Sequence, residues 1–179
     1  MYTFLIIAKM AIVCYNRYVY IHRGEGMVIT FCGHADYLSN LEDEKTLLNL
    51  LEEVINGEPV DFYLGGYGGF DAFALNCAKR YKERHNNSKL IFITPYLDKR
   101  LEGRKNILFN IYDDIIYPEL EYIPRKLAII KRNEWMITKA DYVFCYVRTH
   151  YGGAYKAMLY ADKLKKKYIN IYKGDYSLY

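Results

Sequence analysis

The chain has 179 residues, enough for one domain whose core needs no covalent staples. Its formal net charge of +4 is dispersed apart from "KLKKK" at 163–167, which reads as a solvated helix end; without a dense basic stripe, nucleic acid is not an expected partner. The four cysteines, Cys14, Cys32, Cys77 and Cys145, form no C-x-x-C pair, and three lie in apolar patterns, which argues for buried thiols in a reducing cytoplasm and against disulfides or zinc.

The first 26 residues contain "FLIIAKMAIVCY", interrupted by Lys9 and shorter than the ~20 residues a membrane-spanning helix needs. No basic region precedes it and no small-residue cleavage site follows, so no membrane contact is expected. It reads as an extension ahead of a domain over 27–179, with an added strand or a packed helix as the alternative.

From Met27 onward, short apolar runs alternate with segments of helical period. "MVITFCG" predicts a strand, and "NLEDEKTLLNLLEEVI" a helix with leucines at three- and four-residue spacing, an early acidic cluster, and Asn40 or Ser39 as cap. Then come "VDFYL" as a strand, "GFDAFALNCAKRYKERH" as a helix and "KLIFITPY" as a strand. Residues 97–112 show no period and read as a loop or a short irregular helix. "IPRKLAIIKRNEWMITKA" predicts a helix with Pro124 in its first turn, followed by the strand "DYVFCYV", the helix "GGAYKAMLYADKLKKK" and the strand "YINIYK". The alternation predicts an α/β fold: a doubly wound, mainly parallel sheet of about five strands with helices on both faces.

In such sheets ligands bind beyond the carboxyl ends of the strands, where strand order reverses. Gly65, Gly66, Gly68 and Gly69 follow the second strand, and Gly152 and Gly153 follow the fourth. Bare backbone there permits positive φ, and each following helix offers unpaired N–H groups to an anion; packing glycines are the alternative. Neither cluster is a G-x-G-x-x-G or Walker loop, and no cofactor motif is present. The first strand ends in Gly33, His34 and Asp36, the fourth in Arg148 and His150; in a 3-2-1-4-5 order the two histidines face each other across the crevice. Arg132 and Asn133 fall in a helix where Leu127, Ile130, Trp135 and Ile137 suggest burial, either as a solvated turn or reaching the crevice to hold phosphate or ribose. No histidine has an i, i+4 partner, so no metal site is expected.

"TFCGH", "YLGGYGGFD", "IIYP", "KRNEWM", "ADYVFCYV" and "GGAYKA" occur in that order, and over roughly 27–172 the chain resembles the YpsA/YoqJ-like proteins of the SLOG superfamily, the group that also contains the Lonely Guy phosphoribohydrolases and Smf/DprA. The resemblance implies a Rossmann-like fold, homo-oligomers, and a nucleotide or nucleotide-derived ligand such as an ADP-ribose-like or cyclic nucleotide molecule. Residue by residue it points to Gly33, His34, Gly65, Gly68, Gly69, Asp71, Arg132, Asn133, Gly152 and Gly153. The Lonely Guy hydrolases carry a glutamate in a "PGGxGTxxE" loop, where this sequence has Leu159. Leucine can neither take a proton nor stabilise an oxocarbenium charge, so the expected function is binding of such a ligand. The alternative is cleavage of an N-glycosidic bond with Asp71 or His34 as acid or base. Single-stranded nucleic-acid binding, by analogy with Smf/DprA, ranks below both because the charge is modest.

Overall fold

Six parallel strands form one sheet in the computed structural model, which describes residues 26–174. The segment 1–25, which contains nearly all of the proposed N-terminal extension, lies outside the described residues. In chain order the elements are β1 (Met27–Gly33), α1 (Leu41–Ile55), β2 (Val60–Leu64), α2 (Gly69–Arg84), β3 (Ser88–Ile93), α3 (Lys99–Phe109), β4 (Asp114–Ile116), a 3-10 turn (Arg125–Leu127), α4 (Ala128–Lys139), β5 (Tyr142–Tyr146), α5 (Gly152–Lys163) and β6 (Lys167–Asn170).

The sheet order is β4-β3-β2-β1-β5-β6, every pairing is parallel, and the order reverses between β1 and β5. This is the doubly wound arrangement the alternation predicts, with one more strand at the β4 edge than the sequence pattern reveals. The segment 97–112, read as a loop or a short irregular helix, holds the eleven-residue helix α3, and β4 follows directly after it. Among the described side chains of that helix only Leu101 and Leu108 are buried, so two apolar positions two turns apart on one face had to carry its whole amphipathic signal.

The two faces of the sheet bury different residue sets, as the period of two requires. Ile29, Phe31, Phe62, Leu64, Leu90, Phe92 and Phe144 pack under α1, α2 and α3, while Val28, Cys32, Tyr63, Ile91, Val143 and Cys145 pack under α4 and α5. Each fully buried Phe, Leu or Ile contributes roughly 1.5–3 kcal/mol of transfer free energy. Central strands β1, β2 and β5 are therefore almost continuously apolar, which is what makes them legible in sequence.

Helix ends follow local rules. The Asn40 side chain accepts from the Asp43 N–H and caps α1, and Asn56 closes the same helix in the left-handed region. In α4, Ile137 is buried as expected, but Ile130 and, in the turn before the helix, Leu127 are exposed, and the charged Arg132 occupies the buried face instead. The "KLKKK" run ends α5 in solvent, except that Lys166 Nζ donates to the carbonyls of Thr138 and Ala140 at 2.8 Å and so caps the end of α4.

Candidate functional site at the carboxyl edge

The glycines after β2 are filled by the protein itself. A Cβ on Gly65 would lie 2.1 Å from Nη1 of Arg132 and 2.7 Å from Oδ2 of Asp71, and one on Gly69 would lie 2.1 Å from the Tyr37 carbonyl oxygen. Gly68, at φ 116°, sits against Ala35, and Gly33 against the ring of Phe70. The first N–H groups of α2 are also spent: Gly69 donates to the Ala35 carbonyl at 2.7 Å and Phe70 to that of His34 at 3.3 Å. This loop is thus a packing device that lets α2 and the 34–37 turn close on the sheet.

Behind it lie two residues of opposite charge, the half-buried Asp71 and the buried Arg132. Asp71 accepts from the Tyr67 N–H at 2.8 Å, and Arg132, 1% exposed, donates through Nη1 to the Ile93 carbonyl at 3.2 Å. Burial pushes the Asp71 carboxyl up, while Arg132 and the Tyr67 N–H pull it back down. Arg132 Nε is buried with no hydrogen-bond partner among the described residues, and its guanidinium carbon sits 5.2 Å over the Tyr67 ring. Arg132 is therefore not a solvated turn of helix. It reaches from α4 to the glycine loop and holds Tyr67 from beneath, while its neighbour Asn133 is half-buried.

The second glycine pair is different in kind. Among the described residues, ideal Cβ atoms on Gly152 and Gly153 meet nothing within 4 Å, and Gly152 adopts φ 87°, a conformation that favours glycine. The cap residue Tyr151 makes no side-chain cap bond and the first turn of α5 holds no acid. These two positions open a twelve-residue helix, whose N-terminus carries the positive end of its dipole, and they follow the strand that borders the order reversal.

His34 and Arg148 close the crevice between β1 and β5. His34 Nε2 accepts from the Arg148 backbone N–H at 3.1 Å, which requires a neutral ring protonated on Nδ1. Burial, then the Arg148 charge, lowers the His34 pKa, with Asp36 acting in the opposite sense. The Arg148 guanidinium pairs with Asp36, whose side chain is largely exposed. His150 is exposed, its ring edge-on to Tyr155 at 5.4 Å between centroids. These residues lie at one edge of the sheet; the sequence pattern passed over Tyr67, Tyr96, Arg104 and Arg125, which line a cavity beyond β2 and β3.

Among the described residues no group of three or more His, Cys, Asp or Glu side chains could hold a metal ion, and no helix is long and apolar enough to cross a membrane.

No family model matches the sequence, and no curated protein matches it. Among solved structures, the chain is similar to DNA processing protein A from Helicobacter pylori, described for its single-stranded DNA binding mode, with a TM-score of 0.54 and 18% identity. The similarity covers 79% of this chain and 63% of that one, so this chain spans under two thirds of its neighbour. At that identity the likeness establishes the fold. It also corrects the expectation that set nucleic acid aside as a partner: a protein of this same architecture binds single-stranded DNA, and a dispersed charge of +4 is no ground for exclusion.

Proposed function

We infer that residues 27–179 are one SLOG-type domain that binds a nucleotide unit at the carboxyl edge, with a phosphate at the N-terminus of α5. The observation that carries this is the unobstructed backbone at Gly152 and Gly153, placed where order reverses in a doubly wound sheet. Arg148 and the neutral His34 stand on the same rim and supply a cation and a polar ring to the sugar-phosphate.

A free nucleotide-derived ligand and a unit within a single strand share this chemistry. The half-exposed Tyr67 and exposed Tyr151 supply faces on which bases stack, and the likeness to a single-stranded DNA-binding protein supports the second source. Hydrolysis of an N-glycosidic bond has less support. Leu159 is a half-exposed apolar residue on α5, and the Asp71 carboxylate is already engaged by a backbone N–H beneath the glycine loop.

Thermal unfolding against AMP, ADP-ribose, cyclic dinucleotides and a single-stranded oligonucleotide tests the proposal. A ligand at one hundred times its dissociation constant raises stability by about 2.7 kcal/mol. A shift abolished by Gly153→Asp supports the phosphate site, and no shift with any phosphate compound rejects it. Salt separates the sources, because affinity for a strand falls steeply as counterions compete for its phosphates.

A further inference from the structure

The cavity beyond β2 and β3 is an open pocket lined by Tyr67 of the glycine loop, Phe92, Thr94 and Tyr96 in and after β3, Leu101, Arg104 and Leu108 of α3, and Asp98 and Arg125. Its volume of about 220 Å³ is below that of drug-sized sites and suits a single planar ring. Phe92, Leu101 and Leu108 are all buried and form an apolar floor.

The walls are aromatic and positive. The Arg125 guanidinium lies 4.3 Å over the Tyr96 ring, and the Tyr96 hydroxyl donates back to the Arg125 carbonyl at 3.2 Å. Thr94 Oγ1 donates to the Tyr96 carbonyl at 3.0 Å, so the ring stands on a braced turn. Tyr67 is held in turn by Arg132 at 5.2 Å. Asp98 neutralises Arg125 at 2.9 Å, whereas Arg104 forms no ion pair among the described residues. The net charge on the cavity wall is therefore positive, next to pre-positioned rings.

We propose that this cavity is a second subsite, which takes the base of a neighbouring nucleotide unit against Tyr67 and Tyr96 and an adjoining phosphate on Arg104. The proposal rests on the phosphate site at α5. Three strand spacings separate β3 from β5, about 14 Å across the sheet edge. That span exceeds the reach of one nucleotide and fits a dinucleotide or a stretch of single strand. The same chemistry serves either source.

The experiment is calorimetric titration of thymidine monophosphate, a 5′-phosphorylated thymidine dinucleotide and a longer oligothymidylate into wild type, Arg104→Gln, Tyr96→Leu and Gly153→Asp. Arg104 is exposed and Tyr96 half-buried, so neither substitution opens the core. The wild type binds the dinucleotide more tightly than the monophosphate, and both cavity variants lose on the order of 5- to 100-fold for the dinucleotide while monophosphate binding stays within about twofold. An oligomer that binds no tighter than the dinucleotide identifies a small-molecule subsite, and one that binds tighter identifies a strand path; both outcomes support the cavity. Equal affinity for monophosphate and dinucleotide, or cavity variants that bind the dinucleotide as wild type does, overturns it while leaving the α5 site standing. Absence of binding by wild type to all three overturns the α5 site and the cavity together.

Discussion

The place where a side chain of Gly65 would begin lies 2.1 Å from Nη1 of Arg132, although Gly65 belongs to the β2–α2 loop and Arg132 to α4. A methyl group at Gly65 has to displace a guanidinium that is 1% exposed and tied to the Ile93 carbonyl. Gly65→Ala is therefore expected to destabilise the protein by about 1–3 kcal/mol, as overpacked core substitutions do. For a chain of this size that is a fall in Tm of roughly 2–12 °C. Thermal denaturation followed by circular dichroism measures it, and an unchanged Tm contradicts the close contact.

Glycine at Gly153 should behave in the opposite way. Its Cβ position meets none of the described residues, so a side chain there meets no steric obstacle among them and removes backbone freedom from the unfolded chain. An aspartate there also meets the positive end of α5, an effect of about 0.3–1 kcal/mol. Gly153→Asp is expected to raise Tm while abolishing phosphate-dependent stabilisation. A loss of both would mean that the substitution damages the fold rather than the site, and the binding result would then carry no weight.

The contrast between those two glycines explains what sequence reading could and could not reach. Strand ends, the reversal between β1 and β5, and the positions of both glycine clusters follow from apolar runs and their spacing. What fills a glycine loop does not, because Arg132 stands 67 residues beyond Gly65 in the chain and its burial runs against the usual preference of arginine. Sequence alone therefore presents two equivalent cradles, where packing leaves one open. The cavity was hidden for a related reason. Tyr96 and Arg104 lie in or beside a stretch with no period, and β4 is a three-residue strand too short to show alternation.

Acid should loosen the crevice through His34. Its pKa is lowered in the folded protein, chiefly by burial, and its Nε2 must be unprotonated to accept from the Arg148 N–H. Between the lowered folded value and the ordinary value near 6.5, the unfolded chain binds more protons, so stability rises with pH across that interval. The contribution is fully present above the ordinary value and is lost as pH falls through the folded one. His34→Gln is expected to flatten this dependence, read as the difference in Tm between wild type and variant from pH 8 down to pH 5. A difference that stays constant over the range rules out the assigned role of the imidazole.

Cys32 and Cys145 are register partners on β1 and β5, with sulfurs 3.2 Å apart beneath α5. The hydrogen bond between the thiols and their burial both raise the Cys32 pKa well above its ordinary value, and burial pushes Cys77 to about 12. Reaction needs the thiolate and access to it, and the folded protein withholds both. Alkylation with iodoacetamide at pH 8, mapped by peptide mass spectrometry, should leave Cys32, Cys77 and Cys145 unmodified in the native protein and label all three in denaturant. Rapid native labelling of Cys32 or Cys145 would show that the β1–β5 junction opens often enough for the strand-order reversal to be a mobile element. Protection up to the global unfolding transition would instead make that junction the rigid floor on which the open end of α5 is held.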